Sequence, residues 1–344
     1  MSVATQVEIL DIRHFNARQL RPLLEHEAVV WEKRLSWDYK SSTELLLQYL
    51  DSQVLPGFIA MDRGRLCGFC FCVYEGQKAI VGDAYGIDGG SLSAIALTRM
   101  LLRHLLEMLI HTPTVDRIES QLLLYPEGTT HEVFTEAGFL IYPRLFMEVT
   151  LDTLGLPLEL RGETNGAAKR AAEALVVGDL ALRRWSGVHY EAAAELIHEC
   201  YKGHLDAFIN DQYRSMHGSL RFLHNIVRFP GCGVFEPDAS WLFVDRRTGA
   251  LAGVVLCSKV APKTIHITQL CIAPKFRGAG LGKLLLRHTI QHLASTGFEL
   301  ITLTVTEQNS PAVKLYQELG FTTRHRFEAM VLDKTRRESP PIHP

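Results

Sequence analysis

The stretch Ile265–Lys283, IHITQLCIAPKFRGAGLGK, decides how the rest of the chain is read. Ile265 to Ile272 is rich in β-branched residues and partly alternates, which is the pattern of a strand. Ala273-Pro274 ends it, because proline cannot donate to a ladder. Arg277-Gly278-Ala279-Gly280-Leu281-Gly282 follows, and then KLLLRHTIQHL, whose leucines recur at helical spacing. A strand, a glycine-rich turn and a helix in that order describe an anion cradle. Glycines let a ligand approach the backbone, and the first N–H groups of a helix carry about half a positive charge. The expected guest is phosphate.

The spacing is neither the dinucleotide G-x-G-x-x-G nor the P-loop G-x-x-x-x-G-K-[ST]. What stands at Arg277–Gly282 is R-x-x-G-x-G. A second strand follows at Glu299–Thr306 (ELITLTVT), then Asn309, a helix from Pro311 to Leu319, and Gly320-Phe321. Together these give V-x-x-x-N-x-x-A-x-x-L-Y-x-x-x-G-F. Both motifs, in this order, resemble those of the GNAT acetyltransferase superfamily. The motifs cover about Ile265 to Phe321.

Composition sets the frame. At 344 residues the chain is long enough for two domains, at roughly 150 residues each. With 47% hydrophobic and 22% charged residues it reads as a soluble globular protein with ample core. A net charge of −2 offers no electrostatic case for nucleic acid or an anionic membrane. No apolar run reaches the length of a bilayer span, and Leu101 to Ile110 is broken by Arg103, His104 and Glu107. The N-terminus lacks a signal-peptide pattern, and seven cysteines, mostly inside apolar segments, fit a reducing cytoplasm. Cys67 and Cys70 have C-x-x-C spacing but no second ligand pair, so they are read as core residues and no metal is expected.

Strand and helix signals occur in the same order in both halves, and the halves resemble each other. Leu97–His104 aligns with Leu281–His288, and Phe134–Phe139 with Tyr316–Phe321. The fold class expected is α/β with a mixed sheet, as two tandem GNAT-like domains: 1–151, a linker 152–178, 179–334, and a tail 335–344 without structure. The first copy has Ser93, Ala96 and Thr98 opposite Arg277, Gly280 and Gly282, Glu127 opposite Asn309, and Phe134 opposite Tyr316. Side chains there would crowd a pyrophosphate, so the first copy is expected to be degenerate and non-catalytic. Residues 203–227, GHLDAFINDQYRSMHGSLRFLHNIV, are expected to be helical and are unusually polar.

Acyl transfer from a thioester to an amine needs a held thioester, a proton acceptor for the amine, a stabilised oxyanion and a proton donor for the thiolate. The resemblance implies acetyl-CoA as co-substrate, with its pantetheine beside the backbone of Leu270, Cys271 and Ile272. It implies that Arg277, Gly278, Ala279, Gly280, Leu281, Gly282 and Lys283 receive the pyrophosphate, mostly through backbone N–H groups, and that Asn309 bonds the pantetheine arm or the backbone nearby. Tyr316 is then the general acid, since a phenol with a pKa near 10 can protonate a thiolate. Many members of the family carry a glutamate base on the strand before the loop; here His266 stands, predicted to share a face with Thr268, Leu270 and Ile272. Glu307 is a weaker candidate for the base. Asp206, Asn210, Asp211 and Tyr213 lie where the family builds its acceptor site, and Asp206 and Asn210 are four apart, on one face of a helix.

The function expected is N-acetylation of a primary amine of a small molecule or peptide, by direct attack in a ternary complex. Rival readings are an acyl-CoA sensor without chemistry, an acyltransferase with another donor or acceptor, and a protein-interaction scaffold. The partner is an amine, not nucleic acid or a membrane; a homodimer stays open.

Overall fold

The computed structural model of the chain describes residues 7–88, 90–151, 176–228 and 233–335. It forms two compact units, Met1–Arg144 with Arg326–Pro344, and Leu145–His325. The first unit runs β1 (Val7–Asp11), α1 (Ala17–Leu35), α2 (Lys40–Asp51), β2 (Gly57–Asp62), β3 (Arg65–Glu75), β4 (Lys78–Gly86), α3 (Ala94–His111), β5 (Arg117–Gln121) and α4 (His131–Glu136). β6 (Leu140–Thr150) leads the chain out of it. The second unit continues with β7 (Val176–Val177), β8 (Leu180–Arg184), α5 (Tyr190–Tyr201), α6 (Asp206–Ile209), α7 (Met216–Arg228), β9 (Val234–Phe235), β10 (Trp241–Asp245) and β11 (Leu251–Ala261). It ends with β12 (Thr264–Ile272), α8 (Leu281–Ser295), β13 (Leu300–Thr306), α9 (Ser310–Glu318) and β14 (Thr322–Asp333), whose far end returns to the first unit.

In each unit an antiparallel meander feeds one parallel pair through a helical crossover. β1 to β4 are antiparallel neighbours and β4 pairs with β5 in parallel across α3. β8, β10, β11 and β12 repeat the scheme, and β12 pairs with β13 in parallel across α8. Leucines at helical spacing hold each crossover helix to its sheet: Leu97, Leu101 and Leu105 of α3 in one core, Leu281, Leu285 and Leu286 of α8 in the other. Each such side chain fully buried contributes roughly 1.5–3 kcal/mol.

The domain boundaries differ from the expected 1–151 and 179–334. The back half of β6 lies beside β13, and Leu145, Met147, Val149 and Leu151 join the core of the second unit. The end of β14 pairs antiparallel with β5, from Ala329↔Gln121 to Asp333↔Arg117. Each unit thus takes its closing strand from the other half of the sequence. Both closing strands alternate alike, so the pattern carries no record of which sheet each one joins. The expected linker lies almost wholly outside the described residues, as does nearly all of the tail.

One further expectation changes. Residues 203–227 are not one helix but α6, a 3₁₀ turn at Asp211–Arg214 and α7. The polar side chains there cap their own backbone: Asn210 accepts from the Gln212 N–H at 3.0 Å, and Ser215 from that of Gly218 at 3.0 Å. In addition, α3 begins at Ala94, three residues before Leu97, whereas α8 begins at Leu281 itself. The first unit has almost an extra helical turn where the second has its glycine loop.

Candidate functional site

The site of the second unit begins at a β-bulge. β11 and β12 pair Leu256 with Gln269 and then Cys257 with Ile267, leaving Thr268 extra. A bulge reverses the alternation of side chains beyond it. Ile265 and Ile267 before the bulge, and Leu270 and Ile272 after it, all pack toward the core under α8 and α9. His266, Gln269 and Cys271 therefore share the opposite face. This corrects the expectation that His266 faces the same way as Leu270 and Ile272.

The bulge also ends the parallel pairing. β12 and β13 are in register from Thr264↔Leu300 to Ile267↔Leu303, yet β12 continues to Ile272 and β13 to Thr306. The two strands splay beyond that point, and their facing edges open a cleft. Leu270, Cys271 and Ile272 form one edge of it.

At the end of the cleft lies the N-terminus of α8. Its N-cap is Gly280, at φ +76°, with no side-chain cap, and Gly278 is at φ +77°. Both are left-handed conformations that favour glycine, and a Cβ added at either would point into open space. The first N–H groups of α8 are thus left to an outside acceptor. A pyrophosphate fits this cradle. The side chains of the loop are otherwise engaged: Leu281 is in the core, and Lys283 pairs with Glu318 at 3.2 Å. The Arg277 N–H is directed at the Pro274 carbonyl (3.2 Å).

On the face opposite α8, the Nδ1 of His266 is 2.9 Å from Thr302 Oγ1, and its ring stacks on Phe146, which stacks in turn on His325. Thr302, Thr304 and Thr306 alternate with the core residues Ile301, Leu303 and Val305, so a row of hydroxyls runs along this face. Asp206 accepts a hydrogen bond from Thr306, and His204 Nδ1 is 3.6 Å from its other oxygen. His204 Nε2 is 3.5 Å from Asn309 Nδ2. The Asn309 side chain also caps α9, accepting from the Ala312 N–H at 3.4 Å. Tyr201, whose hydroxyl accepts from Gln269 Nε2 at 3.1 Å, is partly buried, and desolvation pushes its pKa well above the ordinary value. The segment from Tyr201 to Asp206 is thereby fastened to both splayed strands.

The structure brings together Leu270–Ile272, Arg277–Lys283, Asn309 and Asp206. Tyr316 is buried in the core of this unit with its ring 5.8 Å from Phe321. Asn210 and Asp206 do not share a helix face, because α6 ends at Ile209. Tyr213 stacks on Tyr201 at 3.9 Å, and Asp211 opens the 3₁₀ turn. His204, Gln269, Thr302 and Thr306 were not singled out from sequence. The alternate threonines of ITLTVT (residues 301–306) were the available signal, since a strand with one hydroxyl face beside an apolar face lines something polar.

The first unit has the same bulge and the same splay, closed by its own side chains. Gly82 is the extra residue of β4, and the parallel register with β5 stops at Val81↔Ser120. The Tyr125 hydroxyl donates to the Ala84 carbonyl at 2.9 Å and is 3.2 Å from Thr98 Oγ1. The N-terminus of α3 is capped by Ser93, and Asp88 accepts from the Ala94 N–H at 2.7 Å. At the end of β4, a Cβ on Gly86 would lie 2.7 Å from the Ala94 carbonyl oxygen, so helix and strand leave no gap.

This geometry is matched by relationship. Residues 197–321 match the Acetyltransferase (GNAT) family. The mycothiol acetyltransferase of Thermomonospora curvata is 36% identical over 107 residues, 31% of this chain and 33% of that protein. The peptidyl-lysine N-acetyltransferase YjaB of Escherichia coli is 31% identical over 128 residues, 37% of this chain and 72% of that protein. A GCN5-related N-acetyltransferase of Sphaerobacter thermophilus superposes with a TM-score of 0.65 at 13% identity, over 95% of this chain and 96% of that one. A tandem GNAT protein from the clavulanic acid biosynthesis pathway does so at 0.59 and 14%, over 97% and 100%. The chain belongs to the GNAT family of acetyltransferases. Its fold is that of tandem members, and its match spans about a third of the mycothiol acetyltransferases.

Among the described residues, no helix is long and apolar enough to cross a membrane. No group of three or more His, Cys, Asp or Glu among them is placed to hold a metal ion.

Proposed function

We propose that the second unit transfers an acetyl group from acetyl-CoA to a primary amine of a small molecule or peptide, by direct attack in a ternary complex. The observation that carries this reading is the uncapped, glycine-opened N-terminus of α8 at the end of a strand splay. The backbone N–H groups from Gly278 to Lys283 hold the pyrophosphate, and the edge Leu270–Ile272 lies along the pantetheine. Asn309 bonds the arm through Nδ2 while its Oδ1 caps α9. The relatives are named for different acceptors, so the relationship supports acetylation more strongly than it supports any one acceptor.

The amine nitrogen bonds to the thioester carbon and the C–S bond breaks. The amine proton goes to His266 and the thiolate takes one from Tyr316. Thr302 Oγ1 also lies 3.4 Å from the Ile265 carbonyl and donates to it. That makes His266 Nδ1 the donor toward Thr302, and Nε2 the basic nitrogen. Asp206, held by Thr306, offers a carboxylate to a cationic acceptor. The first unit is assigned no catalysis, and its capped helix and Tyr125-filled cleft support that. The six cysteines among the described residues, all buried and unbridged, suit a cytoplasmic protein.

A thermal shift with acetyl-CoA tests the reading. At a hundredfold its dissociation constant, a ligand of the folded state adds about 2.7 kcal/mol. The shift is expected in the wild type and absent in Gly280→Asp, which sets a carboxylate where the phosphate belongs. No shift with acetyl-CoA or coenzyme A in the wild type would overturn the reading.

A further inference from the structure

The arginine of R-x-x-G-x-G has the charge and place of a phosphate ligand, but the structure engages it elsewhere. Its Nε donates to the Ile272 carbonyl at 3.1 Å, and its Nη2 to the Cys200 carbonyl at 2.9 Å. Ile272 is the last residue of β12, and Cys200 stands in the last turn of α5. A helix C-terminus leaves its last carbonyls without partners, and a guanidinium fork satisfies one while complementing the negative end of the dipole. The Cys200 thiol donates to the same Ile272 carbonyl at 3.2 Å. Two side chains therefore converge on one carbonyl and pin the end of α5 to the end of β12.

That pin lies on the cleft. Past it, Tyr201 meets Gln269 of β12, and Asp206 meets Thr306 of β13. The segment from Cys200 to Asp206 is thus anchored beside the glycine loop at one end and across the splay at the other. We propose that Arg277 is a positioning residue for the pantetheine arm rather than a ligand of the pyrophosphate: it fixes the edge Leu270–Ile272 against α5, and so sets the width of the cleft. This rests on the acetyl-transfer reading of the same site.

The two roles separate by choice of donor, because S-acetylpantetheine carries the arm without the pyrophosphate. Dissociation constants for acetyl-CoA and S-acetylpantetheine are measured by calorimetry for the wild type, Arg277→Met and Arg277→Lys. Loss of two hydrogen bonds to carbonyls is expected to weaken binding on the order of tenfold, by the same factor for both donors. Lysine keeps the charge but not the fork that spans both carbonyls, so Arg277→Lys is expected to resemble Arg277→Met. Cys200→Ala, which removes only the thiol contact, gives a smaller loss that is again equal for both donors.

A loss confined to acetyl-CoA, or one that lysine restores, makes Arg277 a phosphate ligand and overturns the proposal. Unchanged binding of both donors overturns it as well. A change in thermal midpoint with no change in either dissociation constant would mark Arg277 as merely structural, and so reject it too. Failure of the acetyl-transfer reading looks different: the wild type itself binds neither donor.

Discussion

The two units share a meander, a bulge, a splay and a crossover helix, and differ in what meets the helix N-terminus. In the first, Ser93 and Asp88 satisfy the first N–H groups of α3, and the hydroxyl of Tyr125 reaches the Ala84 carbonyl inside the splay. In the second, Gly280 leaves the N–H groups of α8 to a guest. The same architecture is self-satisfied in one place and unsatisfied in the other. Unpaired donors are a cost to stability that a ligand removes, so binding capacity here takes the form of incomplete hydrogen bonding.

The contrast is sharpened most by Tyr316→Phe. The first unit already has Phe134 at the matching position, and a proton donor positioned in the transition state contributes about 10²–10⁴-fold. Turnover is expected to fall by at least about a hundredfold while acetyl-CoA still protects against heat. Equal loss of binding and turnover would reduce Tyr316 to a packing residue.

The next effect, in stability, reads the units apart by pH. Burial, helped by His292 and Arg184, pushes His288 of α8 down to about 4 from its ordinary 6.5. The unfolded chain takes up a proton near 6.5 that the folded one refuses, so stability is lost as pH falls from 6.5 toward 4. In the first unit, burial and the neighbouring Asp83 push Glu27 well above its ordinary 4.5. That pair keeps a proton the unfolded chain has released, so its contribution is lost as pH rises above 4.5. Melting His288→Leu against the wild type at pH 7.5 and pH 5 should recover about 1 kcal/mol at the lower pH, once the full linkage is discounted for partial exposure. Glu27→Gln should shift the other limb. A parallel pH dependence in His288→Leu and wild type would remove His288 from the account.

Asp206→Asn is expected to raise the acceptor KM by about tenfold and leave acetyl-CoA binding in place, as for loss of one charge-assisted contact. Weaker acetyl-CoA binding would move Asp206 to the donor side. The smallest effect is Ser93→Ala, which uncaps α3 at a cost of about 1 kcal/mol. It should confer no affinity for acetyl-CoA, because Asp88 and Tyr125 remain. Protection of that variant by a second equivalent of acetyl-CoA would show that the cap alone keeps the first unit empty.

The glycine loop, both strands around it, Asn309 and the tandem order were legible because each follows from local chemistry or from a period in the sequence. The face of His266 was not, since one extra residue at Thr268 reverses every side chain after it and nothing in TIHITQLCI marks the bulge. Asp206 was picked out, but its supposed partner Asn210 had been paired with it on the assumption of a continuous helix. The hydroxyl of Thr306, a hundred residues away, holds it instead. The closure of the first unit was expected from crowding at Ala96 and Thr98. To that crowding the structure adds the Ser93 and Asp88 caps and the Tyr125 hydroxyl, which no alignment of the halves called up.

The exchanged closing strands bear on how the chain comes into being. β5 finds its antiparallel neighbour only in Ala329–Asp333, a little over two hundred residues downstream. At about 5–20 residues per second, a ribosome takes roughly 10–40 s to supply that neighbour after the first half has emerged. Through that interval a sheet edge waits unpaired, the exposed template on which strands of other chains can add.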